Sequence, residues 1–92
     1  MTASAFMTLV ASHVREEGLR RGLGALEPSA PGLWVHGNAF VHLIAGQNGE
    51  FDLLFRRLHV DVRSKDYQTI ERVHDAPRDV ASRIVDHLQI HG

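Results

Sequence analysis

The chain contains no cysteine, which excludes disulfide staples, cysteine-ligated zinc and thiol catalysis. Neither acidic nor basic residues are in excess. Ten Lys and Arg against eleven Asp and Glu leave a formal net charge of −1, so no global field draws the protein to nucleic acid or an anionic membrane. No apolar stretch approaches the length of a membrane span. The start, Met1-Thr-Ala-Ser-Ala-Phe-Met-Thr-Leu-Val-Ala, lacks the basic residues that open a signal peptide. Internal repeats and low-complexity tracts are absent. The expectation from these features is a cytoplasmic chain with no membrane partner.

Ninety-two residues make room for one domain, 1–92, with a single modest core. Hydrophobic residues at 43% and charged residues at 23% are ordinary for a globular chain. Seven histidines are the compositional oddity.

The strongest local signal is a β-hairpin. Asn38-Ala-Phe-Val-His-Leu-Ile-Ala and Glu50-Phe-Asp-Leu-Leu-Phe-Arg-Arg-Leu-His-Val-Asp-Val flank Asn48-Gly49, a dipeptide suited to a two-residue turn with positive φ at both positions. Leu33-Trp-Val-His36 forms a shorter strand, joined to the hairpin by Gly37-Asn38. A fourth strand is expected over 67–73, where β-branched and aromatic residues outweigh a weaker helical stripe of Tyr67, Ile70, Val73 and His74. Ahead of the strands, Phe6, Val10 and Val14 recur every four residues with Leu9 and His13 beside them, predicting a helix from Thr2 or Ser4 to about Arg21. The connector Glu27-Pro-Ser-Ala-Pro-Gly32 propagates neither helix nor sheet. Behind the strands, Pro77 and Asp79 suit the first turn of a helix with Ala81, Ile84, Val85 and Leu88 on its apolar face. The expected fold is therefore α+β: a small two-layer domain in the order α-β-β-β-β-α. Its antiparallel meander of three to four strands carries the N- and C-terminal helices on one face.

Turn geometry fixes which side chains share a sheet face. With two-residue turns at Gly37-Asn38 and Asn48-Gly49, one face carries Leu33, Val35, Phe40, His42, Ile44, Phe51, Leu53 and Phe55. This is the face expected beneath the helices. A β-bulge is predicted at Arg56-Arg57, absorbing the change of phase along a long third strand and bringing Leu58, Val60 and Val62 onto this face. The other face carries Trp34, His36, Ala39, Val41, Leu43, Asp52, Leu54 and Arg56. A solvated sheet face is normally polar. Here Trp34, Val41, Leu43 and Leu54 form an apolar centre with His36 and Arg56 at the rim, the pattern of a partner-binding or self-association surface.

Other chemistries find weaker support. His87 and His91 share a helix face at metal-ligand spacing, yet no third ligand can be assigned, so no metal or other cofactor is expected. His36 and His42 fall on opposite sheet faces, and His42 is expected as a hydrogen-bonded histidine at the core rim. His59 and Asp61 share a strand face as a base and its orienting carboxylate would, but no serine lies in a nucleophile elbow. The expectation is a non-catalytic domain with no small-molecule ligand.

Arg56, Arg57, Arg63 and Lys65 offer local positive charge, and the element order resembles that of double-stranded RNA-binding domains. That resemblance implies nucleic-acid binding through these four residues. The chain departs from it at the start of the last helix, Pro77-Arg-Asp-Val-Ala, which is not lysine-rich. A second resemblance covers the first two-thirds of the chain. The N-terminal amphipathic helix, Gly22-Leu-Gly-Ala-Leu-Glu-Pro28 and the meander with Asn48-Gly49 are similar to the small dimeric chaperones of type III secretion. It implies an effector-binding dimer. The preferred reading is a protein–protein interaction domain acting through an apolar sheet face.

Overall fold

The computed structural model describes Met1–Gly92. Helix α1 spans Ala3–Arg20 and starts where the Thr2 hydroxyl accepts the Ala5 N–H at 3.0 Å, meeting one of the unpaired donors of a first turn. Gly18 breaks the helical pattern for a packing reason. A Cβ there would lie 2.5 Å from Gly24 O and 2.6 Å from Leu26 Cγ. Only glycine lets the chain fold back and seat Leu26 on the helix.

Four strands follow: β1 Leu33–His36, β2 Ala39–Ala45, β3 Phe51–Arg57 and β4 Gln68–Arg72. They form one antiparallel sheet in the order β1-β2-β3-β4. The ambiguous segment 67–73 is thus a strand, at the sheet edge. Helix α2, Pro77–His91, closes the chain with Pro77 in its first turn. The fold is the expected α-β-β-β-β-α.

The register of β1 on β2 is the expected one, with Trp34 opposite Val41 and Val35 opposite Phe40. That of β2 on β3 is not. Leu43 faces Leu53, His42 faces Leu54 and Val41 faces Phe55, one residue away from a two-residue turn. The cause is the loop. Gly46 N–H donates to Glu50 O at 2.7 Å, leaving Gln47-Asn48-Gly49 as a three-residue connection. Only Gly49 has positive φ, at +81°, and Asn48 does not. This is the turn followed by a left-handed glycine that three-residue hairpins use.

A slip of one residue turns every side chain of a strand to the opposite face. Phe51, Leu53 and Phe55 still face the helices, but Trp34, Val41 and Leu43 join them, each 0–1% exposed. Leu33, Val35, Phe40, His42 and Ile44, expected beneath the helices, lie on the other face. The bulge at Arg56-Arg57 is absent. Strand β3 simply ends at Arg57, and residues 58–67 run through successive turns closed by Val60 N–H on Arg57 O and Ser64 N–H on Asp61 O. Leu58 and Val62 are exposed there and belong to no core row.

The core is one cluster. Val10 and Val14 of α1 and Val80, Ala81, Ile84, Val85 and Leu88 of α2 pack on the Trp34–Val41–Leu43–Leu53 side of the sheet. The Phe6 ring stacks on Phe51 at 4.5 Å between centroids. Arg21 ties the helices together, donating to Asp86 Oδ1 at 2.6 Å and Glu17 Oε1 at 3.1 Å. Both helices therefore cover one face. The other face has no layer on it.

Candidate functional site

On the uncovered face, residues that sit opposite one another form rows across the strands. Leu33, His42, Leu54 and Ile70 make the central row. Phe40, Arg56 and Gln68 flank it on one side, and Ile44, Asp52 and Arg72 on the other. Val35 is 45% and Ile70 59% exposed, whereas Leu54 is only 9% exposed although it stands outside the helix-side core. Leu54 is thus enclosed by its own sheet neighbours and forms the floor of the surface.

Charge borders the apolar rows. Arg56 lies over the Phe40 ring at 5.1 Å and near the Tyr67 ring at 6.0 Å, a cation–π arrangement. Its Nε donates to Gln68 Oε1 at 2.8 Å, which leaves the two terminal nitrogens of the guanidinium free. Asp52 Oδ1 accepts from Arg72 Nε at 2.7 Å, and this bond raises the Arg72 pKa. One basic and one acidic group therefore stand on β3, two residues either side of Leu54.

The six residues anticipated as a partner surface are divided by the sheet. Leu54 and Arg56 lie on the uncovered face as expected. Trp34, Val41 and Leu43 do not: they are core side chains under the helices, and no partner can reach them without unfolding. His36 shares their face and is half-buried beside Gly92 at the end of α2. The missed members are Leu33, Val35, Phe40, His42, Ile44 and Ile70. Their signal was in the sequence: Phe40 and Ile44 alternate with Val41 and Leu43, so β2 is apolar on both faces. His42 is on the open face and not at the rim of the core.

The basic residues do not converge. Arg56 and Arg57 project from opposite faces, and Arg63 holds Asp61 in a two-armed pair at 2.9 and 3.1 Å. That pair, with the Arg63 backbone N–H, keeps the Asp61 carboxyl below its usual pKa. Asp61 and His59 sit in the loop after β3, so the expected strand pairing of the two is not formed.

The two histidines of α2 do meet, with ring centroids 4.9 Å apart. His87 Nε2 lies 2.8 Å from Arg56 O and its ring tilts against Phe55. Burial lowers the His87 pKa, partly offset by the Arg56 carbonyl, with Arg57 adding to the depression. No group of three or more metal-ligating side chains forms. A groove of about 280 Å³ between β4 and α2 is lined by Phe55, Arg57, Thr69, Glu71, Arg83 and His87, with Asp66 and Asp86 completing it. Most of its charges are already paired: Arg83 with Glu71 and with Asp75, and Asp86 with Arg21. No helix is long and apolar enough to cross a membrane.

No protein-family model, no curated protein and no solved structure matches the chain.

Proposed function

We propose that the protein is a non-catalytic, cytoplasmic interaction domain that binds a protein partner through its uncovered sheet face. The observation that carries this reading is β2. An antiparallel sheet covered on one side normally alternates apolar and polar residues, but β2 places Val41 and Leu43 toward the helices and Phe40 and Ile44 toward solvent. An apolar field rimmed by charge is what a partner covers. The surface reaches beyond β2, since Val35 and Ile70 expose large apolar groups on the outer strands.

Site-specific photo-crosslinking in the source cell tests it. A crosslinking residue at Val35 or Ile70 is expected to give a discrete protein adduct, while one at Ser12 or Glu16 on the exposed side of α1 gives none. Adducts only from the helix positions, or from no position, would overturn the reading.

A further inference from the structure

We infer that the occupant of the uncovered face is a second copy of this chain, packed sheet on sheet with its β3 antiparallel to the first. The inference rests on the reading of that face as a binding surface and adds its partner and geometry. Two sheets packed face to face can be related by a two-fold axis lying between them and running across the strands. Such an axis along the central row sets Leu54 on Leu54 and reverses the strand direction. Residues two positions either side of Leu54 then exchange. Arg56 of one copy meets Asp52 of the other, twice per interface, and Phe40 meets Ile44.

The face is therefore complementary to itself in charge and in apolar shape, as a two-fold interface requires. The free groups agree with this geometry. Arg56 uses only Nε within the chain and Asp52 only one oxygen, so the terminal guanidinium nitrogens and the second carboxylate oxygen remain for the partner. The alternative axis, parallel to the strands through the sheet centre, would set β2 on β3 and leave Arg56 over the other copy's Phe40 and Asp52 over its Ile44, so it forms neither charge pair and buries Asp52 against an apolar side chain.

Size sets the strength. Four strands of up to seven residues span a face of about 19 by 23 Å, from about 4.8 Å between strands and about 3.3 Å per residue. That is below the ~800 Å² per partner of a standard interface, so the dimer is reversible and concentration-dependent.

Sedimentation of charge-reversed variants provides the test. Wild type is expected to shift from monomer to dimer as concentration rises. Asp52→Arg sets a new arginine against the other copy's Arg56, and Arg56→Asp sets a new aspartate against the other copy's Asp52. Each variant alone therefore weakens the dimer at least tenfold. An equimolar mixture of the two restores both pairs and returns the dimer. Should either reversal lose the wild-type far-UV spectrum, Asp52→Asn and Arg56→Gln carry the test. Each weakens association, and mixing them recovers one pair of the two and an intermediate mass.

A wild type that stays monomeric overturns the second copy as occupant. If Val35 still crosslinks a protein of different mass, the interaction reading stands without it. Single reversals that dimerise like wild type overturn the geometry and point to another surface, such as the β4 edge. A mixture that stays monomeric overturns it too.

Discussion

Trp34 and Val35 are neighbours in sequence and opposites in the fold, so a pair of substitutions there tests the sheet register directly. Trp34 is 1% exposed and Val35 45%. Trp34→Ala removes a fully buried indole and leaves a cavity, an expected loss of about 3–5 kcal/mol. For a domain of this size, at about 4–8 °C per kcal/mol, that lowers Tm by roughly 12–40 °C. Native domains hold only about 5–15 kcal/mol in total, so the variant is close to unfolding. Val35→Lys adds a charge to a solvent-facing side chain and changes monomer stability by less than about 0.5 kcal/mol. Trp34→Phe falls between them. It keeps most of the ring and deletes the indole N–H, which is buried without a hydrogen-bond partner and costs about 1–3 kcal/mol as an orphan. Urea unfolding followed by far-UV circular dichroism, at protein concentrations where the chain is monomeric, measures all three. With a two-residue turn at Asn48-Gly49 the ranking would invert, Val35 being buried and Trp34 free. A larger loss for Val35→Lys than for Trp34→Ala would therefore refute the register and every face assignment built on it.

Two further substitutions probe features that do not depend on a partner. Gly18→Ala improves helix propensity by about 1 kcal/mol, yet its Cβ would press on Gly24 O, and overpacking of about 1–3 kcal/mol is expected to outweigh the gain. A rise in Tm for this variant would show that the fold-back of Leu26 is not tight. His87 has its pKa lowered by burial, so the unfolded chain takes up a proton before the folded one does. Stability from this group is complete above the ordinary histidine range, about pH 6.5, and declines as pH falls toward the depressed folded value. His91, lowered for the same reason and facing Arg57, His87 and His59, acts in the same direction. His87→Gln should flatten the fall in urea midpoint between about pH 7.5 and 5.5, the range spanning the ordinary histidine pKa. An unchanged slope would assign that pH dependence elsewhere.

Much of the fold was legible because it rests on long periodic signals. The four-residue repeat of Phe6, Val10 and Val14 and the apolar stripe of α2 identified both helices; Val10, Val14 and the α2 stripe are buried and Phe6 is partly buried, whereas Leu9, expected beside them, is exposed. The strands of the meander were legible from β-branched runs between turn residues. What escaped was set by one loop residue. Gln47-Asn48-Gly49 and Asn48-Gly49 alone are equally good turn sequences, and the choice depends on whether Asn48 takes positive φ. The Leu58–Val60–Val62 row misled for a related reason. Alternation in a short apolar run cannot show that a strand has already ended, and the turns after Arg57 are held by backbone hydrogen bonds that leave no compositional mark.

The identity of the uncovered face also follows from how the strands divide the task. Phe51, Leu53 and Phe55 commit β3: whichever face they occupy receives the helices, and Asp52, Leu54 and Arg56 must face away. Leu54 and Arg56 were therefore placed correctly whatever the loop did. Strand β2 makes no such commitment. Burying Val41 and Leu43 or burying Phe40 and Ile44 removes a comparable apolar area, at about 25 cal/mol per Å² either way, so β2 by itself barely distinguishes the two registers. The decision falls to Asn48, which needs positive φ only in the two-residue turn and does not take it here, and to β1, where one choice buries Trp34 and the other Val35. Burying the larger ring favours the observed register by area alone. In either register, however, an apolar half of β2 is left outside the helix layer, next to Leu54 and between the charges of Asp52 and Arg56. The exposed apolar face is thus a property of the β2 sequence and not of the register, which makes a covering partner the economical account of why that strand is apolar on both sides.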